Sequence, residues 1–254
     1  MMDFFQILSV ITRKGKRLFF IIIARDLINI LRFGLDAPRY SQTLFLNPQE
    51  ISLAVLPDLL SREDTGKVMG GDWDLHVRQL HDIKKIAMVK ARIREGKSWE
   101  AAGAYQIMNE LIQKHHVYDD CKTKEDVLQR YERLDRVIES IKSGGFLSMS
   151  RVRKGTFRES GGVYIHIGRN GEYIFGIGGC HRLAIAQALR LECIPVQVGV
   201  VHEKAIVNGH WKKLNSDRPR YKRRQLRIAR VGSRSYASPS SRRKPSNVDQ
   251  SNEA

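Results

Sequence analysis

The strongest run of apolar residues lies near the amino-terminal end of the chain. It covers residues 18–24 and is interrupted by charge at Arg25, so it falls well short of the ~20 residues that a membrane-spanning helix needs. No small-residue cleavage site follows it, so the run does not match a secretory signal. We therefore predict no transmembrane span.

The same stretch has the spacing of an amphipathic helix. If residues 18–33 are helical, Arg25, Asn29 and Arg32 share one face and the rest of the surface is apolar. We expect this wide apolar stripe to pack on the protein's own core. The alternative is a basic amphipathic helix that contacts a membrane surface peripherally through residues 13–33, because cations precede the apolar run.

Apolar positions at helical spacing predict three further helices in the middle of the chain. They cover about residues 76–94, 98–114 and 123–145. Thr123 is the predicted cap of the third helix, and Asp126, three residues later, completes a variant of the capping box.

Alternating apolar and polar residues predict strands towards the carboxyl-terminal half. Strands at 163–168 and 172–175 flank a hairpin signal at residues 169–171. A glycine-rich bend then leads into a helix over about 183–191, and a strand at 194–201 follows. These elements predict an α+β (α/β) fold with a small mixed sheet and helices.

Positive charge is concentrated near the carboxyl-terminal end. The chain has a net charge of +17, and residues 211–254 contain 13 Lys/Arg against three Asp/Glu. We predict that this segment is a disordered basic tail, because it has few apolar residues to bury. Flexible arginine-rich segments bind DNA or RNA by neutralising phosphates; the alternatives are a solvated extension or a contact to an acidic partner. The tail residues proposed to contact nucleic acid are Arg218, Arg220, Lys222, Arg223 and Arg224.

The cysteines are sparse and irregularly spaced. Cys121, Cys180 and Cys193 form no CxxC pair, so neither a zinc ribbon nor a disulfide framework is indicated. An odd number of sparse cysteines fits a reducing compartment, and we predict a cytoplasmic protein. The pattern leaves open whether one of the thiols is reactive.

The best candidate for a binding site lies where the glycine-rich bend meets the helix, at Gly178-Gly179-Cys180-His181-Arg182. A helix amino-terminal end offers unpaired backbone N–H groups and the positive end of the helix dipole. Glycines let a phosphate approach the backbone, and an arginine supplies a planar two-pronged donor for phosphate oxygens. The segment therefore predicts an anion-binding site.

Two side chains in this segment have a chemical and a structural interpretation. Cys180 lies where a helix dipole and Arg182 would favour the thiolate, so it is a candidate nucleophile, or else a small packing residue. His181 is able to donate to phosphate or transfer a proton, or else to make a structural hydrogen bond.

The segment 178–184, followed by 194–196, resembles the sulfiredoxin signature of glycine, glycine, cysteine, histidine and arginine ahead of an alanine-containing helix and an isoleucine-proline strand. The same region resembles the wider ParB-like superfamily, in which a glycine and an arginine open the equivalent helix. Residues 138–144 match the end of the preceding helix, and a short strand at 43–46 resembles the first strand of the superfamily. The resemblance implies a ParB/sulfiredoxin-like domain over about 130–202.

The resemblance also implies a nucleotide whose phosphates are held at the helix start. The ligand would be ATP or another nucleoside triphosphate, with Mg²⁺ as a further expectation. Sulfiredoxins use the cysteine of the motif and a lysine on the upstream helix, and Arg133 occupies the lysine's place here. The implied phosphate-binding residues are Gly178, Gly179, Cys180, His181, Arg182 and Arg133. Cys180 and His181 are the candidate catalytic residues.

Members of this superfamily differ in function. The resemblance implies a nucleotide-binding protein, as a phosphotransferase or a hydrolase, and leaves open whether the chain is an enzyme. The alternative is a ParB-like protein associated with nucleic acid through its basic tail. The predicted organisation is an amphipathic helical segment at 1–40, a domain at 41–210 with a helical insertion at about 58–125, and the tail at 211–254.

A glycine-rich loop at residues 70–74 is the second candidate for a functional site. Asp72 and Asp74 flank Trp73, so the carboxylates are able to hold Mg²⁺ or the indole to stack on a base. A turn anchored by the tryptophan and capped by the aspartates explains the pattern equally well. No other metal site is indicated.

Overall fold

The computed structural model describes residues 13–152, 157–176 and 178–216. Within these residues the chain forms helices and a mixed sheet, which confirms the predicted α+β class. The tail residues proposed to contact nucleic acid lie outside the described residues: Arg218, Arg220, Lys222, Arg223 and Arg224.

The elements follow one another in a mixed order along the chain. The helices are α1 (Arg13–Phe33), α2 (Lys84–Arg94), α3 (Ala104–His115), α4 (Lys124–Gly144), α5 (Met149–Val152), α6 (Cys180–Ala188), α7 (Glu203–Val207) and α8 (His210–Ser216). The strands are β1 (Thr43–Leu46), β2 (Leu53–Val55), β3 (Val68–Met69), β4 (Val77–Gln79), β5 (Val163–Ile167), β6 (Tyr173–Phe175) and β7 (Ile194–His202). Short 3₁₀ turns lie at Pro48–Glu50, Arg62–Asp64, Trp73–Leu75 and Leu80–Asp82.

The sheet is organised around the long strand β7. The strand order is β1-β7-β5-β6-β2-β4, and β3 also pairs with β7. Strand β1 runs antiparallel to the first half of β7, whereas β3 runs parallel to its end. Strands β5 and β7 are parallel, and β5 and β6 form the antiparallel hairpin that the sequence predicts.

Strand β5 shows how the sheet is buried on both faces. Val163, Ile165 and Ile167 belong to the large core beneath the helices. Tyr164 and His166 alternate with them and are also buried, on the opposite face. A strand covered on both sides is typical of parallel pairs in α/β sheets. Helix α6 begins where the glycine before it packs on this strand.

Local sequence signals are confirmed at several element ends. Thr123 and Asp126 form the predicted capping box at the start of α4, and Gly145 ends that helix with a positive φ. The β5–β6 turn contains Gly171 with φ 87°. These features depend on residues that are close together in sequence, which is why the sequence alone identifies them.

The predicted helix over 76–94 is wrong in its first part. Val77–Gln79 forms strand β4, which pairs with β2, and α2 begins only at Lys84. Pairing with a distant strand outweighs a local helical pattern that is only moderately apolar. The predicted helix over 98–114 likewise begins later, at Ala104, because Gly103 adopts a left-handed conformation.

The helix after the glycine bend begins three residues earlier than predicted. Helix α6 starts at Cys180 rather than at 183 and ends at Ala188. The reason is Gly179, whose left-handed conformation allows the chain to enter the helix directly from the bend. The motif residues therefore form the first turn of α6.

Helix α1 has the opposite orientation to the one expected. Asp26 and Asn29 are buried against the rest of the chain, whereas Leu27 and Leu31 face outwards. The expectation that its apolar stripe packs on the protein's own core is therefore wrong, because polar side chains hold the helix in place. As predicted, no helix among the described residues is long and apolar enough to cross a membrane.

The folded part extends past the predicted start of the tail at residue 211. Trp211 is buried, and its indole N–H donates to the carbonyl of Asp36 at 2.7 Å. Helix α8 continues to Ser216. Residues 58–125, predicted as a helical insertion, contribute β3 and β4 to the sheet as well as α2 and α3.

Candidate functional site

The start of α6 is shaped by the packing of Gly179 on strand β5. Gly179 has φ 78°, and a Cβ at this position would lie 2.7 Å from the Cα of Val163. Its carbonyl accepts the first hydrogen bond of the helix, from the N–H of Leu183 at 2.9 Å. Both its conformation and this close approach require glycine here, independently of any ligand.

Gly178 faces an arginine that sequence reasoning missed. A Cβ on Gly178 would lie 3.4 Å from the Cβ of Tyr164 and 4.0 Å from Nη2 of Arg62. Arg62 is exposed and begins a 3₁₀ turn that is capped by Ser61. No local signal connects Arg62 to the motif, because more than a hundred residues separate them in sequence. The fold therefore places an exposed guanidinium beside the glycine pair.

A cluster of ions lies on the side of Cys180 and His181. We call it the cation cluster: Lys85 on α2, Asp119 in the turn before α4, and Arg130 on α4. Lys85 Nζ and Arg130 Nη2 lie 2.5 Å and 3.1 Å from the same oxygen, Oδ2 of Asp119. Two cations share one carboxylate, so the cluster has an excess positive charge.

The cation cluster acts on the thiol of Cys180. Burial raises the pKa of Cys180 to about 11; Lys85 and Arg130 oppose this rise, and Asp119 adds to it. This direction is the opposite of the one expected from the helix dipole and Arg182. At neutral pH the thiol is therefore protonated in this arrangement, and it is a poor nucleophile.

His181 is held in its neutral form by the same surroundings. Burial and the positive charges of Arg130 and Lys85 together lower the pKa of His181 to about 4, and Asp119 opposes this effect. Its ring packs edge-on against Tyr131, with 6.5 Å between the ring centroids. A neutral imidazole here keeps one donor and one acceptor.

Two buried nitrogens in this region have no hydrogen-bond partner among the described residues. They are Nε2 of His181 and Nε of Arg130. Buried polar atoms in proteins are nearly always paired, so each unpaired atom needs an explanation. His181 lies in the first turn of α6, and Arg130 belongs to the neighbouring helix α4. The backbone N–H groups of Cys180 and His181 also have no intrahelical acceptor. The region therefore has more donors than the protein itself satisfies.

Arg182 is directed away from this cluster. Its guanidinium donates to the carbonyl of Leu147 and the sulfur of Met149, and it lies over the ring of Phe146, 4.3 Å from the centroid. Its charge also lowers the pKa of buried Glu159, against the larger upward effect of burial. Arg182, which we expected to bind phosphate, thus binds the protein's own residues around the start of α5.

The upstream helix supplies a cation to the site, but it is not the expected one. Arg133 is exposed, and its charge acts on Cys121. Arg130, one turn earlier on α4, is the residue whose charge acts on Cys180 and His181. The sequence shows both arginines, and only the packing of α4 distinguishes them.

The loop at residues 70–74, which we call the aspartate loop, is held by Arg169. Its guanidinium contacts Oδ1 of Asp72 at 2.7 Å and Oδ1 of Asp74 at 2.8 Å. Trp73 is buried, with its ring 5.7 Å from that of His166. Asp72 and Asp74 are thus both paired with Arg169, and Trp73 is too deeply buried to stack on a nucleotide base. The structure shows a turn anchored by Trp73, but Asp72 makes no capping hydrogen bond and Arg169 holds both aspartates instead.

The aspartate loop and the start of α6 are far apart in the fold. Gly179 packs on Val163 at the beginning of β5, whereas Arg169 follows the end of the same strand. The two predicted sites therefore do not form one centre. Among the described residues no group of three His, Cys, Asp or Glu side chains is arranged to hold a metal ion.

Sequence and structure comparisons add no relative to this picture. The chain matches no protein-family model, no curated protein and no solved structure. Membership of the ParB/sulfiredoxin-like superfamily therefore stays a prediction, which rests on the motif and its setting at the start of α6.

Proposed function

We propose that this chain binds the phosphate groups of a nucleoside triphosphate at the amino-terminal end of α6. The observation that carries the proposal is the surplus of donors there. Nε2 of His181 and Nε of Arg130 are buried without a partner among the described residues, beside two cations that share one carboxylate. A bound polyanion would accept from Nε of Arg130, and from Nε2 of His181 in the tautomer that carries the proton there, and it would balance the excess charge.

The backbone at this point supports the same ligand. The first intrahelical bond of α6 runs from Leu183 to Gly179, so the N–H groups of Cys180 and His181 have no intrahelical acceptor. The helix dipole favours negative charge at this end. Arg62, beside Gly178 and exposed to solvent, is able to contact the outer part of an extended phosphate chain.

The residues at this site fit a phosphate and do not fit a resident metal ion. Asp119 is the carboxylate of the cation cluster, and Lys85 and Arg130 already occupy it. Mg²⁺ is usually bound largely through phosphate oxygens and water. We therefore propose that Mg²⁺, when present, arrives on the nucleotide.

The chemistry proposed for the site is phosphate binding rather than thiol chemistry. Burial keeps Cys180 protonated, which argues against a sulfiredoxin-like nucleophile. His181 is neutral with a pKa of about 4, so it is a weak general base that donates from one ring nitrogen and accepts at the other. The family resemblance agrees in one respect, since nucleotide phosphates are held at this helix start across the superfamily.

The test is a binding series with ATP, CTP, GTP and inorganic tripolyphosphate, each with and without Mg²⁺. A ligand that binds the native state raises its melting temperature, and calorimetry then gives the affinity. We expect Arg62→Ala to weaken triphosphate binding by about tenfold, because one charge-assisted contact is lost. We expect His181→Phe, which keeps an aromatic ring against Tyr131, to weaken it further.

The matched control is Arg78→Ala, an exposed arginine on strand β4 at the edge of the sheet. It should leave affinity unchanged. Wild-type protein that binds none of the four ligands would contradict the proposal. So would equal losses of affinity in the Arg62 and Arg78 variants, which would indicate a general charge effect.

A second candidate function is nucleic-acid binding, and the charge of residues 211–254 favours it. Truncation after Ser216 is the suitable test, because Trp211 is buried in the folded part. We expect the truncated protein to lose most of its affinity for mixed-sequence DNA and RNA at low salt and to keep its melting temperature. A truncated protein that binds as tightly as the full chain would locate nucleic-acid binding on the folded part.

A further inference from the structure

Helix α1 is attached to the rest of the protein through its polar side. The carboxylate of Asp26 accepts hydrogen bonds from Nη2 of Arg158 at 2.8 Å and from the N–H of Tyr40 at 2.7 Å. Asn29 donates from Nδ2 to the carbonyls of Pro38 and Gly66, at 2.8 Å in each case. These bonds determine which side of the helix faces inwards.

The opposite side of α1 is apolar and exposed. At 100° per residue, the outward positions form one continuous face about 160° wide. Between residues 20 and 31, every residue on it is apolar: Phe20, Ile21, Ile23, Ala24, Leu27, Ile28 and Leu31. Leu31 is 84% exposed, and Leu35, just past the helix, is 80% exposed. A contiguous exposed apolar surface of this kind marks an interaction site.

The charge around this face is positive. Arg13, Lys14, Lys16 and Arg17 lie in the first two turns of α1, and residues 13–25 contain no Asp or Glu. The first acidic residue of α1, Asp26, is buried and paired with Arg158. The helix thus combines an exposed apolar stripe with a run of cationic residues in the sequence of its first two turns, which is the composition of helices that lie in a lipid interface.

We infer that the outward face of α1 docks on the surface of an anionic lipid bilayer. The apolar side chains would enter the boundary between headgroups and acyl chains, and the cations in the first two turns would contact the negative headgroups. The helix would lie in the plane of the surface, consistent with the finding that no described helix is suited to cross a membrane. This inference does not depend on the nucleotide site.

The choice of a lipid surface rests on charge complementarity. A second copy of the chain would bring the same four cations, whereas an anionic bilayer supplies the opposite charge across its whole surface. The polar anchors also fit this role: Arg25 donates to the carbonyls of Glu63 and Thr65, so the helix is fastened to the fold while its apolar face stays outside.

The test uses co-sedimentation of the full chain with two kinds of vesicle. One is pure phosphatidylcholine, and in the other about a third of the lipid is phosphatidylserine. We expect binding to the anionic vesicles, weaker binding at higher salt, and little binding to the neutral ones. The double variant Leu27→Glu/Leu31→Glu should reduce binding by at least about tenfold, because two apolar contacts are replaced by charges that the headgroups repel.

The matched control is Leu75→Glu/Val207→Glu, which changes two exposed apolar residues outside α1. It should bind vesicles like the wild type. Melting temperature and sedimentation velocity accompany each variant. If the face is exposed in the free protein, the Leu27/Leu31 variant keeps the wild-type melting temperature.

Three results would overturn the inference. Vesicle binding that the Leu27/Leu31 variant retains would place the contact elsewhere. A wild-type dimer that this variant dissociates, without vesicle binding, would show that the face joins two copies of the chain. A large fall in the melting temperature of the Leu27/Leu31 variant, together with a wild-type protein that binds no vesicles, would show that residues 1–12 of the same chain cover the face.

Discussion

The aspartate loop and the cation cluster are built from similar parts with opposite charge balance. In the aspartate loop, Asp72 and Asp74 share the guanidinium of Arg169. In the cation cluster, Lys85 and Arg130 share the carboxylate of Asp119. Each lies near a histidine, the buried His166 in the first case and the half-buried His181 in the second, and burial lowers the pKa of both histidines to about 4.

The two regions differ in whether their ionisable side chains are paired, although the indole nitrogen of Trp73 in the aspartate loop also has no partner among the described residues. Nδ1 of His166 accepts the N–H of Val200 at 2.9 Å, and Arg169 reaches both carboxylates and the carbonyl of Gly71. In the cation cluster, donors on His181 and Arg130 have no partner among the described residues. Carboxylates paired with an arginine stabilise a turn, whereas unpaired nitrogens beside two cations are suited to an anion.

The largest effect that we predict is a loss of stability in acid, caused by His166 and His181. Between pH of about 6.5 and 4 the unfolded chain binds a proton on each histidine and the folded chain does not, so the free energy of unfolding decreases as pH falls. A shift to a pKa of about 4 corresponds to on the order of 3 kcal/mol for each histidine. Urea unfolding across this pH window measures the loss.

Substitutions separate the two histidines. His166→Asn keeps an acceptor for the N–H of Val200 and should remove about half of the pH dependence, whereas exposed His76→Asn should remove none. Tripolyphosphate should reduce the part of the pH dependence of stability that is due to His181, because a bound anion raises the pKa of that imidazole. An unchanged pH profile in His166→Asn would show that this histidine is not neutral in the folded state.

The next effect in size concerns Asp74. Its carboxylate accepts both the side chain and the backbone N–H of Arg169 and is almost fully buried. Asp74→Asn should lower the free energy of unfolding by about 2–3 kcal/mol, because charge-assisted hydrogen bonds are lost. Triphosphate affinity should stay at the wild-type value. A loss of affinity without a loss of stability would make the aspartate loop part of the ligand site.

The same substitution in the cation cluster gives a smaller loss of stability and a gain in binding. Asp119→Asn removes the carboxylate that Lys85 and Arg130 share, and it should cost about 2 kcal/mol of stability. It also increases the positive charge at the start of α6, so triphosphate affinity should rise several-fold. Calorimetry on the two Asn variants compares the triphosphate affinities of the two regions directly. A fall in affinity in Asp119→Asn would contradict the proposal that positive charge at the start of α6 favours triphosphate binding.

The smallest effect is expected at Arg133. This residue is exposed and lies one turn past Arg130 on α4. Because salt screens exposed charges, Arg133→Ala should leave triphosphate affinity within about twofold of the wild-type value. Exposed Arg136→Ala on the same helix is the matched control. A tenfold loss confined to Arg133→Ala would favour the position implied by the family resemblance over the geometry of α4.

The sequence predicts those parts of the site that depend on near neighbours. The two glycines and the helix that follows them identify the start of α6, although not its first residue, since the left-handed conformation of Gly179 depends on its contact with Val163. The sequence does not connect Lys85, Asp119 or Arg62 with the motif. Nor does it show that the guanidinium of Arg182 is occupied by the carbonyl of Leu147.

By itself, the sequence determines the α+β class, the caps of α4, the β5–β6 hairpin and a helix that begins beside paired glycines. Each depends on dihedral preferences and hydrogen bonds within a few residues. The tertiary structure alone decides which arginine of α4 reaches Cys180, that residues 77–79 pair with β2, and that α1 turns its polar side inwards. The physical reason is that ion pairing and burial join residues far apart in the chain, so they depend on how the elements pack.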